Sequence, residues 1–259
     1  MADTVRYEVK EGVATITLDD PDRRNALSAE MLEGLAESVA TASADPEVRC
    51  LVLSSSHESV WCAGADLSGF KAETSIVEKH NSSQAFVDLF LALNDFPKPT
   101  LGKIGGHALA GGMGLALCCD LLVASEEATF GTPEINVGAF PFMIMAVIYR
   151  NLPRKRANEL LLLGDRISAQ EAMEMSLVNR VVPAGELDAF VDDWATKLAT
   201  KSPLIMAMGK EAMARQRDLE LEDALDYLRS QLSLAQSTED IVEGVTAFFE
   251  KRDPVWKGR

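Results

Sequence analysis

Two short loops and one glutamate carry the residue types that could do chemistry. The first loop is Gly105-Gly106-His107-Ala108-Leu109-Ala110-Gly111-Gly112-Met113-Gly114. It lies between a candidate strand, residues 100–104, and an apolar stretch, residues 113–119, that reads as helical. Glycine at 111 and 112 would leave unhindered N–H donors at a helix start, where the backbone dipole favours negative charge. No Lys-Ser/Thr follows the glycines, so this is not a phosphate-cradling loop, and the spacing does not fit a dinucleotide fingerprint. The second loop, Trp61-Cys62-Ala63-Gly64-Ala65-Asp66-Leu67, follows an apolar run at residues 50–53. Its small residues let a ligand atom approach the backbone closely, and Asp66 could cap a helix. Taken singly, each loop also fits an ordinary strand-to-helix turn. Taken together, each ends a buried strand and each can offer one N–H. Two such donors on one oxygen form an oxyanion hole for a thioester or ester carbonyl that gains negative charge.

The residues that are missing narrow the chemistry. There is no Gly-x-Ser-x-Gly elbow and no cysteine with an evident histidine partner, which argues against acyl transfer to a nucleophile. The alternative is an enolate, formed by removing a proton beside the carbonyl. Glu134, in Thr129-Phe130-Gly131-Thr132-Pro133-Glu134-Ile135, is the candidate base. Burial among apolar neighbours would raise its pKa towards the working range of a general base. The competing reading is an exposed glutamate that opens a helix after Pro133. His57 and His80 sit in polar segments and read as solvated. His107 lies in the glycine loop, either against a ligand or simply packed.

The elements that must position these loops follow from periodicity. Alternation of Ala14, Ile16 and Leu18 with Thr15 and Thr17 predicts a hairpin over residues 5–18, turning at Glu11-Gly12. Ser28 is placed to cap a helix whose face is Leu32, Leu35, Ala36 and Val39, ending at Asp45-Pro46. Continuous apolar runs at 50–53 and 121–124 read as strands buried on both faces. After Pro141 the strand signals nearly stop, and 178–182 is the one late candidate. Ser168 and Glu171 have capping-box spacing, Ser202 precedes Pro203, and Ser237 is a candidate cap for a last helix reaching Glu250. Leu221, Ala224, Leu225, Leu228 and Leu232 recur at helical spacing. The chain therefore divides into an α/β part, 1–190, and a helical region, 191–259. The latter is too small for a core of its own, so it must pack on the first part or on another subunit.

Composition sets the outer limits. The 259 residues are 47% hydrophobic and 25% charged, with a formal net charge of −15. That is a folded globular chain, and its acidity disfavours nucleic-acid binding. Four cysteines and three histidines show no zinc-ligand spacing. No apolar run is long enough to span a membrane, and residues 1–4 lack the features of a leader. The expectation is a cytoplasmic protein with reduced thiols.

The motifs resemble those of the crotonase (enoyl-CoA hydratase/isomerase) superfamily over almost the whole chain. They are Arg23-Arg24-Asn25-Ala26-Leu27, Cys62-Ala63-Gly64-Ala65-Asp66-Leu67, Gly111-Gly112, Pro133-Glu134, Ser168-Ala169-Gln170-Glu171-Ala172, Leu177-Val178-Asn179-Arg180-Val181-Val182 and Ala247-Phe248-Phe249-Glu250-Lys251-Arg252. The resemblance implies an α/β fold, a spiral of ββα units with a helical C-terminal trimerisation region. It also implies homotrimers that pair into hexamers. It implies a coenzyme A thioester as substrate, with no permanently bound cofactor and no metal. The oxyanion donors would be the N–H groups of Ala65 and Gly111. Ala26, Leu27, Ala63, Asp66, Leu67 and Ser68 would line the CoA channel, and Arg23 or Arg24 would meet its phosphates. Phe248 and Lys251 would reach a neighbouring subunit's CoA. One departure matters. Typical hydratases of the family carry a second glutamate on the helix after the glycine loop, where this chain has Gly114. A single Glu134 suits a proton shuttle that isomerises a 3-enoyl-CoA better than it suits hydration. Decarboxylation, hydrolysis, ring cleavage and simple acyl-CoA binding are the alternatives, because this fold hosts several reactions.

Overall fold

The computed structural model describes residues 4–66 and 75–259. Strands β1 (Val5–Lys10) and β2 (Val13–Leu18) pair antiparallel. Glu11 and Gly12, at φ 51° and 80°, make the left-handed two-residue turn that strand twist favours. Helix α1 (Ala29–Ala44) follows; the Ser28 hydroxyl accepts the Met31 N–H, and Met31, Leu32, Leu35 and Val39 are buried. Next come β3 (Cys50–Ser55), α2 (Ile76–Ser82), α3 (Gln84–Asn94), β4 (Thr100–Ile104), β5 (Ala108–Leu109) and α4 (Gly111–Ala116). They are followed by β6 (Leu121–Ser125), β7 (Thr129–Gly131), α5 (Phe142–Asn151), α6 (Arg154–Leu163), β8 (Arg166–Ser168), α7 (Ala169–Glu174) and β9 (Arg180–Val182). Four helices complete the chain: α8 (Leu187–Ala199), α9 (Pro203–Gln216), α10 (Leu221–Gln236) and α11 (Glu239–Glu250).

The main sheet has six strands in the order β1-β2-β3-β4-β6-β9, all parallel after the first pair. Both faces are covered, which is why its central strands are continuously apolar. Ile16, Leu18, Leu51 and Leu53 face the cluster that contains α1 and α3. Cys50, Val52, Leu101 and Val123 face Leu187, Val191 and Ala195 of α8. The boundary read between residues 190 and 191 therefore falls inside a helix that covers the sheet.

A second, three-stranded sheet runs β5-β7-β8. It contains a strand that hydropathy did not signal: Arg166–Ser168 is half polar and pairs with β7 through Phe130 opposite Ile167. Pairing partners, not local pattern, make it a strand. Helix α4 stops at Ala116, short of the predicted stretch, and Thr238 rather than Ser237 caps α11 by accepting the Ile241 N–H. The capping box at Ser168 and Glu171 forms as predicted.

One buried cation ties the helical region to the sheet. Lys210 of α9 donates to Asp120 Oδ2 at 2.6 Å and to the Lys98 carbonyl at 2.9 Å. The same carboxylate oxygen accepts the Thr100 N–H and hydroxyl. Asp120→Ala leaves that ammonium buried without its counter-charge. Asp120 is itself partly exposed, so the expected loss is about 1–3 kcal/mol in denaturant unfolding, more than for Lys210→Met, which removes the buried charge altogether.

Candidate active site

Three backbone segments converge at the ends of the sheet strands. The segment 23–27 runs beside the loop 62–66: the Ala63 N–H donates to Arg24 O at 3.1 Å, and the Leu27 N–H donates to Gly64 O at 2.8 Å. Leu27 and Ala65 form an isolated parallel bridge, as do Cys62 and Ala108. The glycine loop is then stitched to β7, where the Ala110 N–H donates to Gly131 O at 2.8 Å. Arg24, Ala26, Leu27, Ala63, Ala65 and Gly111 are thereby assembled into one place.

Absent side chains let the loops dock. A Cβ on Gly64 would lie 2.5 Å from Ala110 Cβ and 3.1 Å from Gly111 N. A Cβ on Gly112 would lie 2.6 Å from Cys62 O. Gly64 also sits at φ +97°, a conformation other residues rarely adopt. Ala110 is the strained member, at φ 52° and ψ −130° with a side chain present.

This geometry frees two donors. A Cβ on Gly111 would lie 3.5 Å from the nitrogen of Ala65. With ordinary bond lengths, the two nitrogens are then at most about 6 Å apart, close enough for one oxygen to accept from both. Among the described residues, neither N–H donates to a protein carbonyl.

Glu134 lies on a 3-10 turn, Pro133–Val137, three residues beyond Gly131. That tether to Ala110 is at most about 11 Å of chain. The turn is held from behind: the Thr132 hydroxyl donates to Leu160 O at 2.7 Å, and Asn136 Nδ2 donates to Gly164 O at 3.3 Å. The glutamate is half-buried, not an exposed helix opener. Its Oε2 is buried and has no protein partner among the described residues. Loss of hydration raises its carboxyl pKa above the usual value.

The remaining candidates separate. Arg23 is paired with Asp20 at 2.6 Å and with Glu30 at 3.7 Å, while Arg24 is exposed at a left-handed corner, φ 53°. Asp66 is half-buried, and Leu67 and Ser68 lie outside the described residues. Phe248 lines a groove with α9 residues and Trp256 rather than joining these loops, and Lys251 ends the same helix. His107 is packed: Nδ1 meets the Thr129 hydroxyl at 3.0 Å, and burial, with Arg166 nearby, lowers its pKa. His57 is not simply solvated, since its Nδ1 accepts the N–H groups of Ser59 and Val60. The Cys62 thiol donates to Asn25 O at 3.0 Å, and burial pushes its pKa up to about 12, which removes it as a nucleophile at neutral pH. Among the described residues, no cluster of three His, Cys, Asp or Glu could hold a metal, and no helix is long and apolar enough to cross a membrane.

A family description, Enoyl-CoA hydratase/isomerase, matches residues 8–259. The chain belongs to this family. It is similar to the 2,3-dehydroadipyl-CoA hydratase of Escherichia coli, 33% identical over 251 residues that cover 96% of this chain and 97% of that one. It is 34% identical to the carnitinyl-CoA dehydratase of Salmonella enteritidis over 265 residues, covering all of both chains. The crystal structure of an enoyl-CoA hydratase from Mycobacterium smegmatis superposes with a TM-score of 0.93 at 35% identity, covering 98% of each chain. The crotonase fold expected from the motifs is therefore present, with its helical C-terminal region.

Asn25 is the positioning residue that the motifs named without a role. It is fully buried; its Oδ1 accepts the Asp20 N–H at 2.7 Å, and its Nδ2 donates to the Ser55 hydroxyl at 2.7 Å and to Trp61 O at 3.3 Å. It joins the loop before α1 to the loop that presents Ala65. Asn25→Ala strands these groups, and the expected destabilisation is about 1–3 kcal/mol by thermal or chemical unfolding. A weakened affinity for CoA thioesters should accompany it.

Proposed function

We propose that the protein isomerises the double bond of an enoyl-CoA, with Glu134 as its one acid/base. The carboxylate takes a proton from the α-carbon of a 3-enoyl thioester. The C–H electron pair becomes part of a dienolate, whose oxygen is held by the N–H groups of Ala65 and Gly111. The same carboxyl returns the proton to the γ-carbon, leaving the double bond between the α- and β-carbons. No atom is gained or lost. The observation that carries this reading is the buried Oε2 of Glu134, in the same assembly as two N–H donors, all three without protein partners among the described residues. In this reading Ala26, Leu27, Ala63, Asp66, Leu67 and Ser68 line the CoA channel. Arg24 is free to meet the phosphates, whereas Arg23 must exchange Asp20 for them.

Hydration is the second reading, favoured by relatives named for adding or removing water. Incubation of 3-enoyl- and 2-enoyl-CoA in deuterated water separates the two. A shifted double bond with no added water supports isomerisation, whether the shuttled proton is retained or exchanged for deuterium on Glu134. Conversion of 2-enoyl-CoA to 3-hydroxyacyl-CoA with the 3-enoyl-CoA left unchanged overturns it.

Glu134→Gln is expected to lower turnover by at least about 100-fold while leaving thioester binding intact. Retained turnover in that variant would falsify the assignment. Because the folded-state pKa of Glu134 is raised, kcat/KM should fall as pH drops through a value above the ordinary glutamate range. The stability linkage has the matching sign. A raised pKa means the folded state favours the neutral form, so the stabilisation is complete in acid and is lost as pH rises through the folded pKa. Glu134→Gln should therefore melt higher than the parent near neutral pH, and the gap should close below the ordinary glutamate value.

A homo-oligomer, trimer or hexamer, completes the proposal. The helical region leaves Leu221, Leu225, Leu232, Phe248 and Phe249 exposed, Phe248 at 78%, and a groove of about 710 Å³ runs between α9 and α11. In such an assembly Phe248 and Lys251 would serve a neighbour's CoA. Light scattering should return three or six times the chain mass, and Leu225→Glu with Phe249→Glu should reduce it. A monomer at micromolar concentration contradicts this part.

A further inference from the structure

We infer that Ile144 is the specificity-determining residue of this site: it plugs the space beside the oxyanion donors and keeps water away from the enoyl double bond. The inference rests on the enolate reading above. Gly111 and Gly114 are three residues apart on α4 and so share a face. A Cβ at 111 would meet Leu27 Cδ1 at 3.4 Å and Phe86 Cε1 at 3.5 Å. A Cβ at 114 would fall 2.3 Å from Ile144 Cγ2, 2.9 Å from Ile144 Cβ and 3.1 Å from Phe90 Cζ. Phe86 and Phe90 stack edge to face, with centroids 6.4 Å apart and planes at 85°. The wall that continues from the Gly111 donor is therefore Phe86, Phe90 and Ile144.

None of these three side chains has a polar atom. An ordered water needs two to four hydrogen-bond partners, and this wall supplies none. Gly114 is more than a missing acid: no side chain fits there while Ile144 holds its place. Phe142 and Met143, just before Ile144, are exposed, whereas Ile144 itself is buried. The start of α5 thus turns one apolar residue inward against α4.

The consequence concerns which reaction the enolate site completes. In hydration, the oxygen of water bonds the β-carbon, the C=C pair moves to the α-carbon and the thioester oxygen, one water proton goes to a carboxylate, and a proton is delivered to the α-carbon. That path requires a water held at the β-carbon. Isomerisation requires none, since Glu134 carries the only proton that moves. An apolar plug therefore suppresses the first path and leaves the second untouched.

The test is the product ratio, 3-hydroxyacyl-CoA to isomerised enoyl-CoA, from a 3-enoyl-CoA substrate. Ile144→Ala opens the space, and Ile144→Thr keeps most of the volume while placing a hydroxyl in the wall. Each should raise the ratio at least about tenfold, while Ile144→Val stays within about twofold of the parent. A merely structural role would lower both products together and leave the ratio unchanged. Should Ile144→Ala fail to fold, Ile144→Thr carries the same test. Folded variants that still exchange the α-proton but keep the parental ratio overturn the inference and leave the isomerase reading standing. A parent protein that neither exchanges the α-proton nor shifts the double bond overturns both.

Discussion

The site exists because two loops approach more closely than side chains would allow. Gly64 abuts Ala110, and Gly112 abuts the backbone of Cys62, at distances no Cβ could share. That contact brings the nitrogens of Ala65 and Gly111 together and, among the described residues, leaves both N–H groups without a protein acceptor. In the proposed reaction, a donor pair fixed in this way would need no reorganisation when charge develops on a bound oxygen. Everything else in the α/β part serves this contact. The parallel sheet delivers both loops from the same end of adjacent strands, and Asn25 ties the first of them to the start of α1.

The same site stores unfavourable terms. Ala110 holds a backbone conformation better suited to glycine. Among the described residues, Glu134 keeps one buried oxygen unpaired, in surroundings that favour its neutral form. The second is sustained by hydrogen bonds from Thr132 and Asn136 that anchor the turn under Glu134 to the end of α6. A carboxylate short of hydrogen bonds is a stronger base than a hydrated one, so the cost in stability and the capacity for proton transfer have one origin.

The helical region shows a different balance. Lys210 locks α9 to the starts of β4 and β6, and Asp240 receives the Ser202 hydroxyl together with the N–H groups of Lys257 and Gly258, folding the tail back onto α11. Apolar packing of α8 on the sheet and these polar contacts fix its position, while Leu221, Leu225, Leu232, Phe248 and Phe249 remain exposed. Helices that are amphipathic yet uncovered in one chain are suited to burial between chains.

Much of this was legible in the chain itself. Alternation in β2, continuous apolar runs in β3 and β6, and the caps at Ser28, Ser168 and Ser202 are local signals, because they depend on neighbours a few residues away. The ordered motifs were enough to indicate the family. Other features had no local signal. β8 is a strand only because β7 is there to pair with it. Asn25 matters only because residues 20, 55 and 61 meet around it. Gly114 read as a missing carboxylate, and only packing revealed that Ile144, thirty positions along the chain, fills the space. Sequence by itself nominated two loops and one glutamate as able to bear chemistry and marked most of the helices and strands, since propensity and periodicity are short-range. Tertiary structure alone decided which amides are left free, which oxygen is left unpaired and which cavity is closed, since those depend on surfaces brought together from distant parts of the chain.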